Sequence, residues 1–242
     1  MTAHPRPLPA TKPHRPIGRL RTSNYDISSI CNLRCEGCLF FSGADEASLT
    51  ATEDLGLWRA FFHAEAARGI NFAYVAGAEP SLTPDRIRAC HDHIPMGAIF
   101  TNGTKRIDPD IRYRIHVSLW GNEARSELYR GASVNRRAMR NYAGDPRAIF
   151  VMTLNRLNLA EIPEVAAACA DHGVVLTFSL FSPTTDYNQR MAAAGAGENA
   201  AAPSGKTDYF RFSSQAQDMR FDAATLARAH DAMLEAAAAF PG

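Results

Sequence analysis

Cys31-Asn32-Leu33-Arg34-Cys35-Glu36-Gly37-Cys38 sets three thiols in a C-x3-C-x2-C triplet directly after an apolar, strand-like run near the start of the chain. The number three matters. A structural zinc site takes four ligands in a closed tetrahedron, and an iron-sulfur cluster is ordinarily held by four cysteines. Three protein ligands leave one iron of a four-iron cluster open to a small molecule. A zinc or redox cluster completed by a distant fourth ligand is the plainer alternative. The remaining cysteines, Cys90 and Cys169, are single thiols in helical segments and read as small buried apolar residues.

Outward from the triplet, β-rich runs alternate with helical ones. The strand candidates are residues 23–30, 71–76, 98–101, 115–120, 148–155 and 174–181. Thr50 with Glu53 has the spacing of a capping box before a helix at 55–67, and Thr83-Pro84 reads as an N-cap with a first-turn proline. His172-Gly173 closes a later helix, and Asp222 precedes the last one. Six βα units in succession predict an α/β fold with a parallel sheet. Right-handed crossovers curl it into a partial (β/α)6, TIM-like barrel with an outer ring of helices.

Strand periodicity then assigns faces. In Ile115-His116-Val117-Ser118-Leu119-Trp120 the aliphatic set should pack on the helices, so His116, Ser118 and Trp120 should face the lumen. Thr177 and Ser179 repeat the pattern in the sixth strand, and Asp26 and Ser28 in the first. Polar inward rows predict a lumen that holds a ligand, where a dry barrel core would favour branched apolar side chains.

Ligands of parallel α/β folds bind at the carboxyl ends of the strands, and the remaining motifs fall there. Strand two is followed by Gly77-Ala78-Glu79-Pro80, strand three ends in Thr101-Asn102-Gly103, strand four carries Ser118, and Arg130-Gly131 follows it. This ordered series resembles the radical S-adenosylmethionine (radical SAM) superfamily over about residues 23–181. Two departures stand out: Ala78 replaces a glycine, and Gly37 replaces an aromatic residue that shelters adenine, a role left to Leu39, Phe40 or Phe41.

The resemblance implies a core domain over residues 22–242. In it Cys31, Cys35 and Cys38 hold a 4Fe-4S cluster, while Gly77, Ala78, Glu79, Thr101, Asn102, Ser118, Arg130 and Ser179 hold S-adenosyl-L-methionine (SAM). A carboxylate suits an ammonium, and an arginine suits a carboxylate. It implies an oxidoreductase-type radical enzyme in which reductive cleavage of SAM yields a 5′-deoxyadenosyl radical that abstracts hydrogen from a small metabolite or biosynthetic intermediate. The protein's part is to orient, tune and shield the cofactor. His116, Trp120, Asn155, Asp186 and Tyr187 are the substrate-contact candidates, with Arg211 beside them. The electron comes from a donor such as flavodoxin or ferredoxin. Two other readings stand: an activase that installs a glycyl radical on a protein partner, and a non-catalytic iron-sulfur SAM-binding regulator.

Composition sets the remaining bounds. Residues 1–21 are rich in Pro and carry Arg6, Lys12, Arg15, Arg19 and Arg21 with no acid, the composition of a disordered arm. Removing that +5 from the formal +1 of the 242 residues leaves −4 for the body, which argues against a nucleic-acid surface. No run approaches the roughly 18 apolar residues of a membrane span, and the first 21 residues hold no signal-peptide h-region. Clustered cysteines without such a signal predict the cytoplasm. Residues 182–220, rich in Ala, Gly and Ser, are expected to form a lid or loop insertion at the mouth.

Overall fold

The computed structural model describes residues 19–35, 38, 40, 52–195 and 218–240. The arm over residues 1–18 and the 196–217 part of the expected lid fall outside them. Six parallel strands, β1 (Thr22–Asp26), β2 (Phe72–Ala76), β3 (Gly97–Thr101), β4 (Arg114–Leu119), β5 (Ala148–Leu154) and β6 (Val175–Leu180), pair in chain order. β1 does not meet β6, so the sheet curls without closing. The helices are α1 (Leu55–Ala67), α2 (Pro84–His93), α3 (Glu123–Arg130), α4 (Asn135–Tyr142), α5 (Ile162–Asp171), α6 (Thr185–Gly195) and α7 (Ala223–Ala239). The partial barrel expected from the alternating pattern is present.

One crossover departs from that pattern. Residues 102–113, between β3 and β4, form no helix. The segment buries Ile107, Ile111 and Tyr113 and so covers the sheet as a helix would. The outer ring is therefore interrupted behind β3 and β4. The first strand also stops at Asp26, and Ser28 lies in the turn beyond it rather than in a strand row.

Period-two burial holds where the strands are regular. Ile115, Val117 and Leu119 are fully buried toward the helices, and His116 and Ser118 on the other face are half-buried. Phe150, Met152 and Leu154 continue the same core in β5. The lumen face is less polar than expected, because Phe72, Tyr74, Phe100 and His116 form an aromatic row across β2 to β4, with Phe100 and His116 centroids 4.9 Å apart. Phe100 remains 42% exposed on that face.

Caps show which residues start the helices. Asp54, not Thr50 or Glu53, caps α1, its Oδ1 accepting from the N–H groups of Gly56 at 2.7 Å and Leu57 at 3.3 Å; Thr50 is outside the described residues. Thr83 precedes α2 without a side-chain cap, because its hydroxyl donates to the Pro80 carbonyl instead. Asp222 and Thr225 form a reciprocal capping box on α7. The expected loop after β6 begins as helix α6.

Candidate functional site

At the carboxyl ends of β1, β2 and β3 five of the predicted cofactor residues, Gly77, Ala78, Glu79, Thr101 and Asn102, are gathered with Cys31 into one bonded region, while Ser118, Arg130 and Ser179 lie apart from it. Gly77 follows β2 with φ 134°, and a Cβ there would lie 2.8 Å from both the backbone N and O of Ser28. Only glycine permits this approach. The close passage lets the Ala78 N–H donate to the Ser28 carbonyl at 2.8 Å and the Glu79 N–H to the Ile30 carbonyl at 2.9 Å. The strand-two turn is thereby fastened to the residue before Cys31. From α2, Arg86 donates to the Ile27 carbonyl at 2.8 Å and steadies the same loop.

Glu79 is 1% exposed, and its carboxylate is taken up by the protein itself. Oε1 accepts from the Ser81 N–H at 2.9 Å and the Thr101 hydroxyl at 2.6 Å, and Oε2 accepts from the Asn102 N–H at 2.7 Å. Three donors leave about one of the roughly four acceptor positions of a carboxylate. Asn102 carries the network onward: its Nδ2 donates to Asn32 Oδ1 at 2.8 Å and approaches Cys31 Sγ at 3.8 Å. Its Oδ1 accepts from the Thr104 N–H at 2.9 Å and the Thr104 hydroxyl at 2.6 Å. Asn32 closes the ring by donating to Thr104 Oγ1 at 2.9 Å. Asn32 and Thr104 are site residues that sequence reasoning missed; their one signal was adjacency to Cys31 and to Thr101-Asn102-Gly103.

Burial raises the Cys31 thiol to about 11, with Cys35, Glu79 and Cys38 adding to the rise and the Leu33 N–H opposing it. A thiol in that position releases its proton when a metal binds. Among the described residues no three His, Cys, Asp or Glu side chains converge as they would on a single ion. Ligands of a four-iron cube each bind a different iron, so convergence on one point is not what such a site requires. Cys90 and Cys169 are buried elsewhere and raised to about 12 by desolvation.

Across the mouth stands Arg130, 2% exposed at the end of α3. Its Nη1 donates to the Ser118 carbonyl at 2.7 Å, while its Nε is buried with no partner. An orphaned guanidinium N–H is costly and matches an anionic group such as a carboxylate. The backbone N–H of Arg34 reaches the Arg130 carbonyl at 3.3 Å, linking the cysteine loop to this side. The donor set of three thiols, a buried orphan arginine N–H and a small-residue turn fits a cluster and SAM.

Beyond β4 to β6 the mouth is apolar. Tyr129, Phe181, Tyr187, Met191 and Met219 form a second buried cluster, with Trp120 and Leu157 packed against it. Trp120 is half-buried, its ring 6.0 Å from Phe181 and 6.4 Å from Tyr129. Tyr187, expected as a lid contact, is fully buried, and its hydroxyl accepts from the Met219 N–H at 3.0 Å. The side chain of Asp186, and Arg211, Leu39 and Phe41, lie outside the described residues. Asn155 is fully buried at the end of β5, its Oδ1 accepting from the Leu157 N–H and its Nδ2 unpartnered. Asn158, another residue the sequence did not single out, donates to the Trp120 and Thr153 carbonyls at 3.2 and 2.9 Å. His116 sits lower in the lumen, its pKa lowered by burial and by Arg114. Ser179 is exposed on the inward row of β6.

No protein-family model matches this sequence, and no curated protein matches it. Solved structures do. Streptococcus suis SuiB aligns with a TM-score of 0.60 and 15% identity over 90% of this chain and 46% of SuiB. SuiB bound to precursor peptide SuiA aligns at 0.61 and 14% over the same shares. Native anSMEcpe with bound AdoMet aligns at 0.51 and 13% over 74% of this chain and 62% of that one. The chain thus spans about half the length of SuiB. What these structures share with this chain is its fold.

Proposed function

We propose that this chain is a radical SAM enzyme that holds a 4Fe-4S cluster on Cys31, Cys35 and Cys38 and SAM between the Gly77–Glu79 turn and Arg130. The observation that carries this reading is the hydrogen-bonded network from the buried Glu79, Thr101, Asn102 and Thr104 out to the exposed Asn32 and the half-buried Cys31. A fold spends that many satisfied buried groups on a loop whose geometry matters. When bound, the cofactors supply one-electron cleavage of a sulfonium and hydrogen-atom abstraction from a C–H bond.

The chain's own residues bind and shield. Glu79 fixes the turn that would hold the ammonium end of SAM, and Arg130, whose Nε has no partner in the fold, would hold its carboxylate. Ser118 and Ser179 line the inward rows. Trp120 and the apolar cluster behind it exclude water and stray hydrogen donors from the substrate side. The small metabolite expected from sequence remains the first substrate reading. A peptide is the second, favoured by the unclosed sheet, by the exposed apolar Phe100 on its concave face, and by the precursor peptide bound to SuiB.

Anaerobic reconstitution tests the proposal. Wild type should bind about four irons per chain and release 5′-deoxyadenosine from SAM under dithionite. Cys31→Ala, Cys35→Ala and Cys38→Ala should each lose both properties, and Cys90→Ala and Cys169→Ala neither. A requirement for Cys90, or iron binding without SAM cleavage, would overturn it; the second result would favour a regulator.

A further inference from the structure

Helix α4 presents Arg136, Arg137 and Arg140 to solvent, and its sequence contains no acid. Among the described residues none of the three makes an ion pair. Arg136 and Arg137 stand in the first turn, where the helix dipole is positive and repels them, and the N-cap residue Val134 offers no side-chain bond. Arg140 stands in the last turn, where the dipole favours a cation, but Arg136 and Arg137 gain nothing from it. They sit on a body whose formal charge is −4 once the +5 of residues 1–21 is removed from +1.

The face of α4 opposite them packs on the candidate cofactor loop. A Cβ on Gly103 would lie 2.7 Å from that of Ala138, and the Tyr142 hydroxyl donates to the Lys105 carbonyl at 3.0 Å. Lys105 is itself exposed and extends the basic strip. Three hydrogen bonds lead inward: Asn141 Nδ2 to the Thr104 carbonyl at 3.2 Å, the Thr104 hydroxyl to Asn102 Oδ1 at 2.6 Å, and Asn102 Nδ2 to Cys31 Sγ at 3.8 Å. Three acids border the strip, and none of them pairs with the side chain of Arg136, Arg137 or Arg140. Glu123 accepts from the Arg136 backbone N–H, Glu127 from the Ser133 hydroxyl, and Asp145 pairs with Arg147 and Arg106.

We propose that Lys105, Arg136, Arg137 and Arg140 form the docking surface for an acidic one-electron carrier of the flavodoxin type, seated behind the Cys31 loop. The inference rests on the cluster assignment above. Charge complementarity supplies orientation and encounter rate, and the short bonded route places the carrier at the shielded back of the loop rather than at the mouth where substrate enters. In the exchange a flavin hydroquinone loses one electron and becomes a semiquinone, and the cluster gains that electron; no bond on this chain is made or broken.

The test uses the full reconstituted chain and an oxidised acidic flavodoxin, with binding followed by calorimetry. Wild type should bind, and its affinity should fall as salt is raised. R136E/R137E/R140E should bind at least about tenfold more weakly, and R59E/R228E, which reverses two exposed charges on α1 and α7, should bind like wild type. SAM cleavage driven by dithionite should be equal in all three proteins, while cleavage driven by reduced flavodoxin should fall only in the triple variant. Binding of the triple variant within about twofold of wild type, or tighter arginine-dependent binding of a short single-stranded RNA than of flavodoxin, overturns the docking surface. Failure of dithionite to drive cleavage in wild type overturns the cluster assignment instead, so the two failures are separable.

Discussion

The two halves of the barrel mouth are built on opposite principles. Over β1 to β3 it is a polar lattice in which Glu79, Thr101, Asn102, Asn32 and Thr104 satisfy one another at 2.6 to 2.9 Å. Over β4 to β6 it is a patch of aromatic rings and methionines, with Trp120 at its rim. Directional bonds in a low-dielectric setting define one geometry and penalise any other. Rings and thioethers adapt. The first half is fixed to one geometry, and the second can adapt.

The most damaging test of this contrast is Glu79→Ala. It strands two N–H groups and a hydroxyl in a buried site, and should cost about 4 kcal/mol of stability at roughly 1 to 3 kcal/mol per stranded group, read by urea unfolding. Glu79→Gln is no gentle substitute, because either amide orientation sets an NH2 against the N–H of Ser81 or of Asn102. A loss below about 1 kcal/mol for Glu79→Ala would mean that the lattice is not what fixes the loop.

Next in size is Trp120→Ala. A half-buried indole should cost about 2 kcal/mol, less than the roughly 3 to 5 kcal/mol of a fully buried one, and leave the opposite lattice undisturbed. SAM cleavage should persist while substrate conversion falls on the order of a hundredfold, as misplacement of reacting atoms predicts. Product and 5′-deoxyadenosine measured together check this; parallel loss of both would tie the two halves into one unit. The smallest effects come from matched, volume-conserving changes. Thr101→Val removes a hydroxyl that donates to Glu79 and accepts from the Gly103 N–H, and should cost about 1.5 kcal/mol. Met191→Leu in the apolar half should cost under about 1 kcal/mol. Thermal melts of the pair sharpen the comparison, and equal costs would erase it.

How legible each half was in the sequence follows the same division. Strand order and the inward parity of His116 and Ser118 were readable because β4 alternates strictly. The candidate cofactor residues stood out because their types and order form a motif series. Asn32, Thr104 and Asn158 were not, since a lone Asn or Thr in a loop has the same appearance whether it meets solvent or a buried partner. Tyr187 looked like a surface contact beside Thr185 and Asp186; its partner Met191, one helical turn on, was the available sign of a buried face. The helix-free crossover was hidden because Ile107 and Ile111 repeat at helical spacing while covering the sheet as an irregular segment.

The order of the strands is also an order in time. Each strand pairs with the one made just before it, so the sheet can grow from its first edge while the chain is still being synthesised, without waiting for a distant partner. Every side chain that locks the cysteine loop through Glu79 and Asn102 has emerged once Thr104 is out. The rings of the second cluster, from Tyr129 to Met219, come later. A nascent chain can thus settle the rigid half of its mouth before the adaptable half exists.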